Sequence, residues 1–406
     1  MNNLIRMSAF NSRLDVLLQG IDIADFSIPD RYVAIRQAVR EFSKDYPNKE
    51  VLEFAGSDNS YYLLFGLAED VDEANRDAGI DLTSSGAGVK LGIRFTLDYR
   101  MEIHQVAFWL SRTGATLEGM LSAALYTVSA NLPDRLIATS IEIDIDEVEG
   151  APQGRFTRVR FPFAAGNVFE LDAGTYYAVL QSNGYTYANG TAEVILGVDQ
   201  SSPVANTVAT HNGTIWSAYG TPSAGILEVM ASVPGWRKRG CAIESVEYPA
   251  AEIASDEEPQ MLEDEDYRLF QTQAGIWLYL PSHSPSSTEK VRLTYSRPYM
   301  WVESDDPLLD LDEVYFEALS YLAAAVACQV LAVRYGQNTG SVMAADVVDR
   351  KTQADQYQGF ANKFRAQYKA LVSQDDKASL PGQAITDVDY AYEVGSDFLF
   401  HRRSRR

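Results

Sequence analysis

From residue 89 to residue 232 the sequence follows the two-residue period of β-strands, and this run constrains the fold more than any other feature. Short apolar segments predict strands over 93–99, 103–112, 121–128, 136–145, 156–163, 175–181, 192–198 and 226–231. Many of them alternate. In 141–146 the isoleucines Ile141, Ile143 and Ile145 point one way, while the carboxylates Glu142, Asp144 and Asp146 point the other. The dipeptides Asn183-Gly184, Asn189-Gly190 and Asn212-Gly213 accept the positive φ of tight hairpins and are read as turns. So many short strands with such punctuation predict an all-β jelly roll or two-sheet sandwich.

The flanks have a different period. Tyr32, Ile35, Val39 and Phe42 recur at a spacing of three or four and predict a helix bounded by Pro29 and Pro47. Towards the other end, 312–335 carries a dense Ala/Leu/Val face closed by Gly336. Over 344–373, Val347, Ala354, Tyr357, Phe364, Tyr368 and Leu371 predict a second long helix. Between these lie short strand candidates at 61–65, 246–249, 275–280 and 291–295. A lone strand at 61–65 cannot bury its face by itself, so it needs partners from beyond the β-rich run. The small, flexible residues Thr83 to Gly88 read as a linker. The resulting expectation is an α+β chain in which a discontinuous, mainly helical domain, with a C-terminal helix pair and a few short strands, is interrupted by the β domain. Its parts are 1–88, then the insert 89–232, then 233–380, with 381–406 as a tail.

Composition excludes several classes. Apolar residues make up 46% and charged residues 22% of 406, which suits packed globular domains. With 34 basic against 56 acidic residues, the net charge of −22 disfavours gripping a phosphate polyanion. Cys241 and Cys328 alone make no disulfide framework. No secretory signal is read at the start, and the apolar stretch 318–333 is shorter than the ~20 residues of a membrane span, so it is read as a buried helix.

Two resemblances follow from particular segments. Tyr32-Val-Ala-Ile-Arg-Gln-Ala-Val-Arg-Glu-Phe-Ser-Lys-Asp-Tyr-Pro47, Val233-Pro-Gly-Trp236, Ile243-Glu-Ser-Val-Glu-Tyr-Pro249, Val291-Arg-Leu-Thr-Tyr-Ser-Arg-Pro298 and Leu322-Ala-Ala-Ala-Val-Ala-Cys-Gln-Val-Leu-Ala-Val-Arg-Tyr-Gly336 together resemble the head-to-tail adaptor (connector) proteins of tailed bacteriophages. They cover about half the chain, and the pattern departs from that family between Leu67 and Val233. The interrupting segment, through Val106-Ala-Phe-Trp-Leu-Ser-Arg-Thr-Gly114, Leu121-Ser-Ala-Ala-Leu-Tyr-Thr-Val128, Pro133-Asp-Arg-Leu-Ile-Ala-Thr-Ser140 and Leu171-Asp-Ala-Gly-Thr-Tyr-Tyr-Ala-Val179, resembles jelly rolls of the carbohydrate-binding-module type. The first resemblance implies a non-enzymatic virion protein of the neck, assembled in the host cytoplasm. It implies a ring, of twelve subunits in this family, contacting the portal and a tail or stopper protein. Genomic DNA would pass through that ring during packaging and ejection without sequence-specific binding. No cofactor and no membrane are implied. The second resemblance leaves open a rival role in binding carbohydrate at a host surface.

Candidate chemistry is sparse. His104, His211, His283 and His401 show no metal-ligand spacing, and neither a Gly-x-Ser-x-Gly elbow nor a phosphate loop occurs. Glu142, Asp144 and Asp146 are read as a solvated strand face with a calcium site as the sharper alternative. The acids of 252–266, which contain no Lys or Arg, are read as a hydrated loop that in a ring would repel passing phosphates. Tyr185, Tyr187 and Trp216 flank the Asn-Gly turns and form a candidate sugar platform, whereas Trp109 within a strand is read as core. Asn189-Gly-Thr191 and Asn212-Gly-Thr214 match the glycosylation pattern but are read as turns. Finally, Phe398, Leu399 and Phe400 precede Arg402, Arg403, Arg405 and Arg406 on an acidic protein, and are read as a docking peptide for the portal or tail.

Overall fold

A computed structural model describes residues 4–18, 26–70, 78–82, 89–113, 117–148, 156–163, 169–187, 193–201, 208–221, 223–238, 240–251, 259–302, 304–311, 313–337 and 344–378. In chain order the elements are β1 (Leu4–Arg6), α1 (Met7–Leu17), α2 (Ile28–Asp45), β2 (Asn48–Ala55), β3 (Tyr61–Asp70), β4 (Ala78–Asp81), β5 (Val89–Leu97), β6 (Met101–Thr113), β7 (Leu117–Ser129), β8 (Leu132–Thr139), β9 (Ile143–Asp144), β10 (Thr157–Pro162), β11 (Phe169–Leu171), β12 (Gly174–Tyr187) and β13 (Glu193–Asp199). Then follow β14 (Val208–Asn212), β15 (Trp216–Ala218), β16 (Ala224–Gly225), β17 (Leu227–Ser232), β18 (Ala242–Glu247), β19 (Arg268–Gln271), β20 (Gly275–Tyr279), β21 (Lys290–Arg297), β22 (Trp301–Val302), β23 (Leu308–Asp310), α3 (Val314–Gln337) and α4 (Ala344–Ala378).

The contacts divide the chain into two compact units, one of Met1–Asn48 with Pro298–Arg406 and one of Lys49–Arg297. The first is built from both chain ends. Ser27 starts α2 with a capping box, its side chain accepting from the Asp30 N–H while Asp30 reaches back to the Ser27 N–H, and Pro29 sits in the first turn. The expected face is the buried one, with Ile35, Val39 and Phe42 inside. It packs on α3, whose residues Ala318 to Cys328 are almost wholly enclosed. That helix is long and apolar enough to cross a membrane, yet 67% of its most apolar window lies inside the protein, as the reading of a core helix anticipates.

Polar contacts stitch the two ends of this unit. β1 pairs with β23, Arg13 with Glu317, Arg334 Nη2 with Asp30 Oδ2 at 3.2 Å, and Arg365 Nη2 with Glu41 Oε2 at 3.1 Å. Around the Phe42 ring stand Tyr46, Tyr299, Tyr315 and Tyr368, with ring centroids 5.4–6.4 Å away.

The second unit is all β among its described residues apart from one 3₁₀ turn at Ile145–Glu147. One sheet runs β16-β13-β6-β17-β3-β20-β19, with β10 and β11 also on β6 and β4 on β13. Another runs β15-β14-β5-β12-β7-β8, with β9 on β7, and a third is β18-β21-β2. Among the described residues these strands pair antiparallel, and one core takes residues from all three sheets, among them Phe108 and Leu110, Leu91 and Leu125, and Leu52 and Leu293.

The expectation of a mainly helical framework is corrected. Among the described residues, strands hold 47% and helices 27%. The strand at 61–65 finds one partner from beyond the β-rich run, β20, as expected, and one from within it, β17, and both share that run's core. The boundaries at 88/89 and 232/233 therefore fall inside the β unit. Two turns also differ. Asn183-Gly184 lies within β12, where the register with β7 shifts between Asn183 and Thr186, so the dipeptide marks a bulge. The β7–β8 hairpin turns instead at Ala130 and Asn131, both with positive φ (50° and 63°), without a glycine. Asn212-Gly213 is a turn, with Gly213 at φ 93° between β14 and β15, whereas Asn189-Gly190 and the linker 83–88 lie outside the described residues.

Candidate functional site

The outer face of the sheet β15-β14-β5-β12-β7-β8 carries a second apolar cluster. Ala124, Tyr126, Tyr177, Val179 and Ala209 are buried there, with Val128, Leu132 and Trp216 packed against them. Strand alternation explains it: Leu125 and Ala178 face the main core, so their neighbours face away. Small residues let rings lie flat on the strands. A Cβ at Gly92 would meet Tyr177 Cδ1 at 3.1 Å. The Tyr177 hydroxyl donates to the Asn131 carbonyl at 2.8 Å, drawing the β7–β8 turn over this face. Burial pushes the Tyr177 phenol up from its ordinary value.

Trp216 meets Tyr126 edge-on at 5.9 Å and lies 4.9 Å from the His211 ring. Lys90 Nζ donates to the Tyr126 hydroxyl at 3.3 Å. The register places Trp216, His211, Lys90 and Gln181 in one row across four strands. Tyr185 and Tyr187 lie four and six residues further along β12, so the three aromatics do not share a row. The side chains of Tyr185 and Tyr187 lie outside the described residues.

The carboxylate trio is not one strand face. Only Ile143 and Asp144 form a strand, and the chain then turns into the 3₁₀ helix. Asp144 caps that turn, accepting from the Asp146 N–H at 3.0 Å, and Asp146 pairs with Arg112. Both acids thereby serve local structure, and among the described residues no group of three or more His, Cys, Asp or Glu is arranged to hold a metal ion.

Three glutamates buried in the β unit are each held by an arginine. Glu228 takes Arg158 Nη1 at 3.0 and 3.2 Å, Glu247 takes Arg292 Nη1 at 2.6 Å, and Glu102 takes Arg237 Nη1 at 3.0 Å and the Gly235 N–H at 2.7 Å. Beside Glu102, His104 Nε2 and Ser232 Oγ are 2.8 Å apart. Ser232 has no solvent-accessible surface, so this pair ties β6 to β17 rather than presenting a nucleophile. Burial, helped by the Arg237 charge, lowers the His104 pKa, with Glu102 opposing. This network anchors the Val233–Trp236 turn, where Trp236 is enclosed against the Tyr295 ring at 5.5 Å.

Pattern reading missed two surfaces. In the helical unit, a cleft of about 530 Å³ opens between β1, α1 and the start of α3, lined by Leu4, Arg6, Ser8, Glu313 and Phe316 among others. In the β unit an aromatic ladder crosses β3, β20 and β19. Tyr61 and Tyr279 stack at 4.4 Å and 14°, and Phe270 meets Tyr61 edge-on at 6.0 Å. The signal was non-local, since β3, which carries Tyr61, pairs with β20 across more than 200 positions, while β19 and β20 form a local hairpin. The docking peptide 398–406 and the acids at 252–258 lie outside the described residues.

No family model matches the chain, and no curated protein matches it in sequence. Among solved structures, similarity is found to the structure of infectious bursal disease virus Gt strain, at 10% identity and a TM-score of 0.17, covering 65% of this chain and 40% of that one. A mutant VP2 protein of the same virus, in derived T=1 particles, gives 9% identity and a TM-score of 0.13 over 65% of this chain and 38% of that one. The chain thus spans well under half the length of these structures, and scores this low carry no argument about fold or function.

Proposed function

We propose that this chain is a structural protein of a tailed-phage virion, an adaptor that assembles as a ring joining the portal to the tail around the DNA passage. The observation that carries the reading is the union of the two chain ends. Helices α2 and α3, which carry the resembling segments 32–47 and 322–336 apart from the end of the first, bury their apolar faces on one another in one core. The β unit between them is then a jelly-roll or sandwich domain carried as an elaboration of that framework. The motifs at 233–236 and 243–249 belong to its core, so the resemblance is divided between the two units.

The chemistry suits a passage better than a grip. A net charge of −22 holds phosphates off by long-range repulsion, which leaves a duplex mobile inside a ring. Subunit contacts in a ring are heterologous, one patch meeting a different patch on the next copy, and they close when the rotation closes. Exposed apolar residues on the helices, Val33, Val314, Val333 and Phe360, supply such patches. The family resemblance gives twelve copies.

Native mass spectrometry of the purified chain tests this. A discrete closed oligomer supports the reading, and a strict monomer at tens of micromolar, alone and with portal protein, sinks it. A glycan array run on the same chain and on Trp216→Ala examines the rival: saturable binding lost in the variant moves the function to the β unit.

A further inference from the structure

We propose that the outer edge of β19 is a docking site for the C-terminal segment 398–406 of a second copy of this chain, which adds to the sheet as an antiparallel strand. β19 is the last strand in its sheet, paired with β20 on one side, and among the described residues no strand meets its other edge. All four of its residues are exposed, and Leu269 and Phe270 are 51% and 47% accessible. An edge of this kind presents a row of unpaired N–H and C=O groups. Native proteins blunt such edges with charge, proline or a cover, and here Arg268 is the only charged residue on the strand.

The occupant follows from side-chain chemistry on both partners. β19 shows an aromatic face, where Phe270 joins Tyr61 and Tyr279, and an aliphatic face with Leu269. In an extended segment Phe398 and Phe400 point one way and Leu399 the other. With Phe398 opposite Phe270 in antiparallel register, Leu399 falls opposite Leu269, and Phe400 falls opposite Arg268, a cation over an aromatic ring. The chain then delivers Arg402, Arg403 and Arg405 to Asp266, Glu265 and Glu263, the turn that leads into β19. Residues 379–406 reach up to roughly 90 Å when extended, ample to bridge to a neighbour. The contact is heterologous, so repetition builds a ring or a filament. It needs only two copies and stands whether or not the virion reading holds.

The test uses the full chain with Phe398→Ser, Leu399→Ser and Phe400→Ser, which disables its own tail, and a fluorescent peptide of residues 395–406. Saturable one-to-one binding is expected, with amide exchange slowed at 268–271. Binding should weaken at least ten-fold in a receptor that also carries Phe270→Asp, and equally for a peptide with the same three serines. Because Phe270 is exposed, an unchanged melting midpoint verifies that the receptor is folded. No binding, equal binding by the serine peptide, or protection confined to other strands overturns the proposal. So does a wild-type chain that stays monomeric and refuses the peptide, which would mean that each tail occupies its own β19.

Discussion

Replacing Phe42 with alanine probes the joint between the chain ends directly. Its ring is fully buried, and of the four tyrosines around it Tyr299, Tyr315 and Tyr368 come from the far end of the chain. Removing it loses the transfer free energy of the ring and leaves a cavity that rigid aromatic neighbours fill poorly. Substitutions of this kind cost about 3–5 kcal/mol, a range that already includes the edge and tilted ring contacts. In a unit of this size each kcal/mol moves the midpoint by about 2–4 °C, so a loss of about 4 kcal/mol lowers it by roughly 8–16 °C. Hydrogen exchange read peptide by peptide during thermal unfolding resolves where the loss falls. Peptides from α2, α3 and the described part of α4 should lose protection together, while those from β6 and β12 keep theirs. A shift below about 3 °C, or an equal shift in the strands, would refute the division of the chain into a unit made of its ends and a β unit between them.

Other outcomes are as definite. Ser27→Ala removes the side-chain acceptor of the capping box and should lower the stability of the helical unit by about 1 kcal/mol, measured from the urea midpoint. Ala130→Gly should raise the stability of the β unit by about 0.5–1 kcal/mol, because alanine there holds φ 50° and glycine adopts that region freely; a lower midpoint would show that the turn is not strained. His104 has a folded pKa below its unfolded value of about 6.5, so the unfolded chain binds the extra proton. Its contribution is complete above pH ~6.5 and is lost as pH falls through the folded value, so the urea midpoint should drop more between pH 7.5 and pH 5 in the wild type than in His104→Gln. Identical pH slopes would remove His104 from the account.

Local physics was well expressed in the sequence where the signal is local. Pro29, Pro47 and the spacing of Ile35, Val39 and Phe42 delimit α2 correctly, and the alternation over 103–112 and 121–128 anticipates β6 and β7 with Trp109 inside. Helix α1 carried a comparable signal in Met7, Phe10, Leu14 and Leu18, a spacing of three or four that passed unread. Partition of the chain was a different kind of question. Whether the strand at 61–65 joins helices or strands depends on β17 and β20, more than 150 positions away, and no local pattern encodes that choice. The trio Glu142, Asp144 and Asp146 misled because perfect alternation ends where Asp144 caps a turn instead of continuing the strand. Likewise the hairpin turns at Ala130-Asn131, where Asn131 favours a turn but Ala130 holds its positive φ without a glycine, so the Asn-Gly pattern did not mark it. The aromatic ladder of Tyr61, Tyr279 and Phe270 was invisible for the same non-local reason, and the surface where the molecule offers an open edge went unread with it.

The central claim concerns location, and one image tests it. Under the proposed adaptor function, virions that contain this chain, decorated with gold-labelled antibody fragments against it, should show label at the neck between head and tail, and particle averages there should show a closed symmetric ring. Label along the tail fibres or over the capsid surface, with an unlabelled neck, would contradict the account.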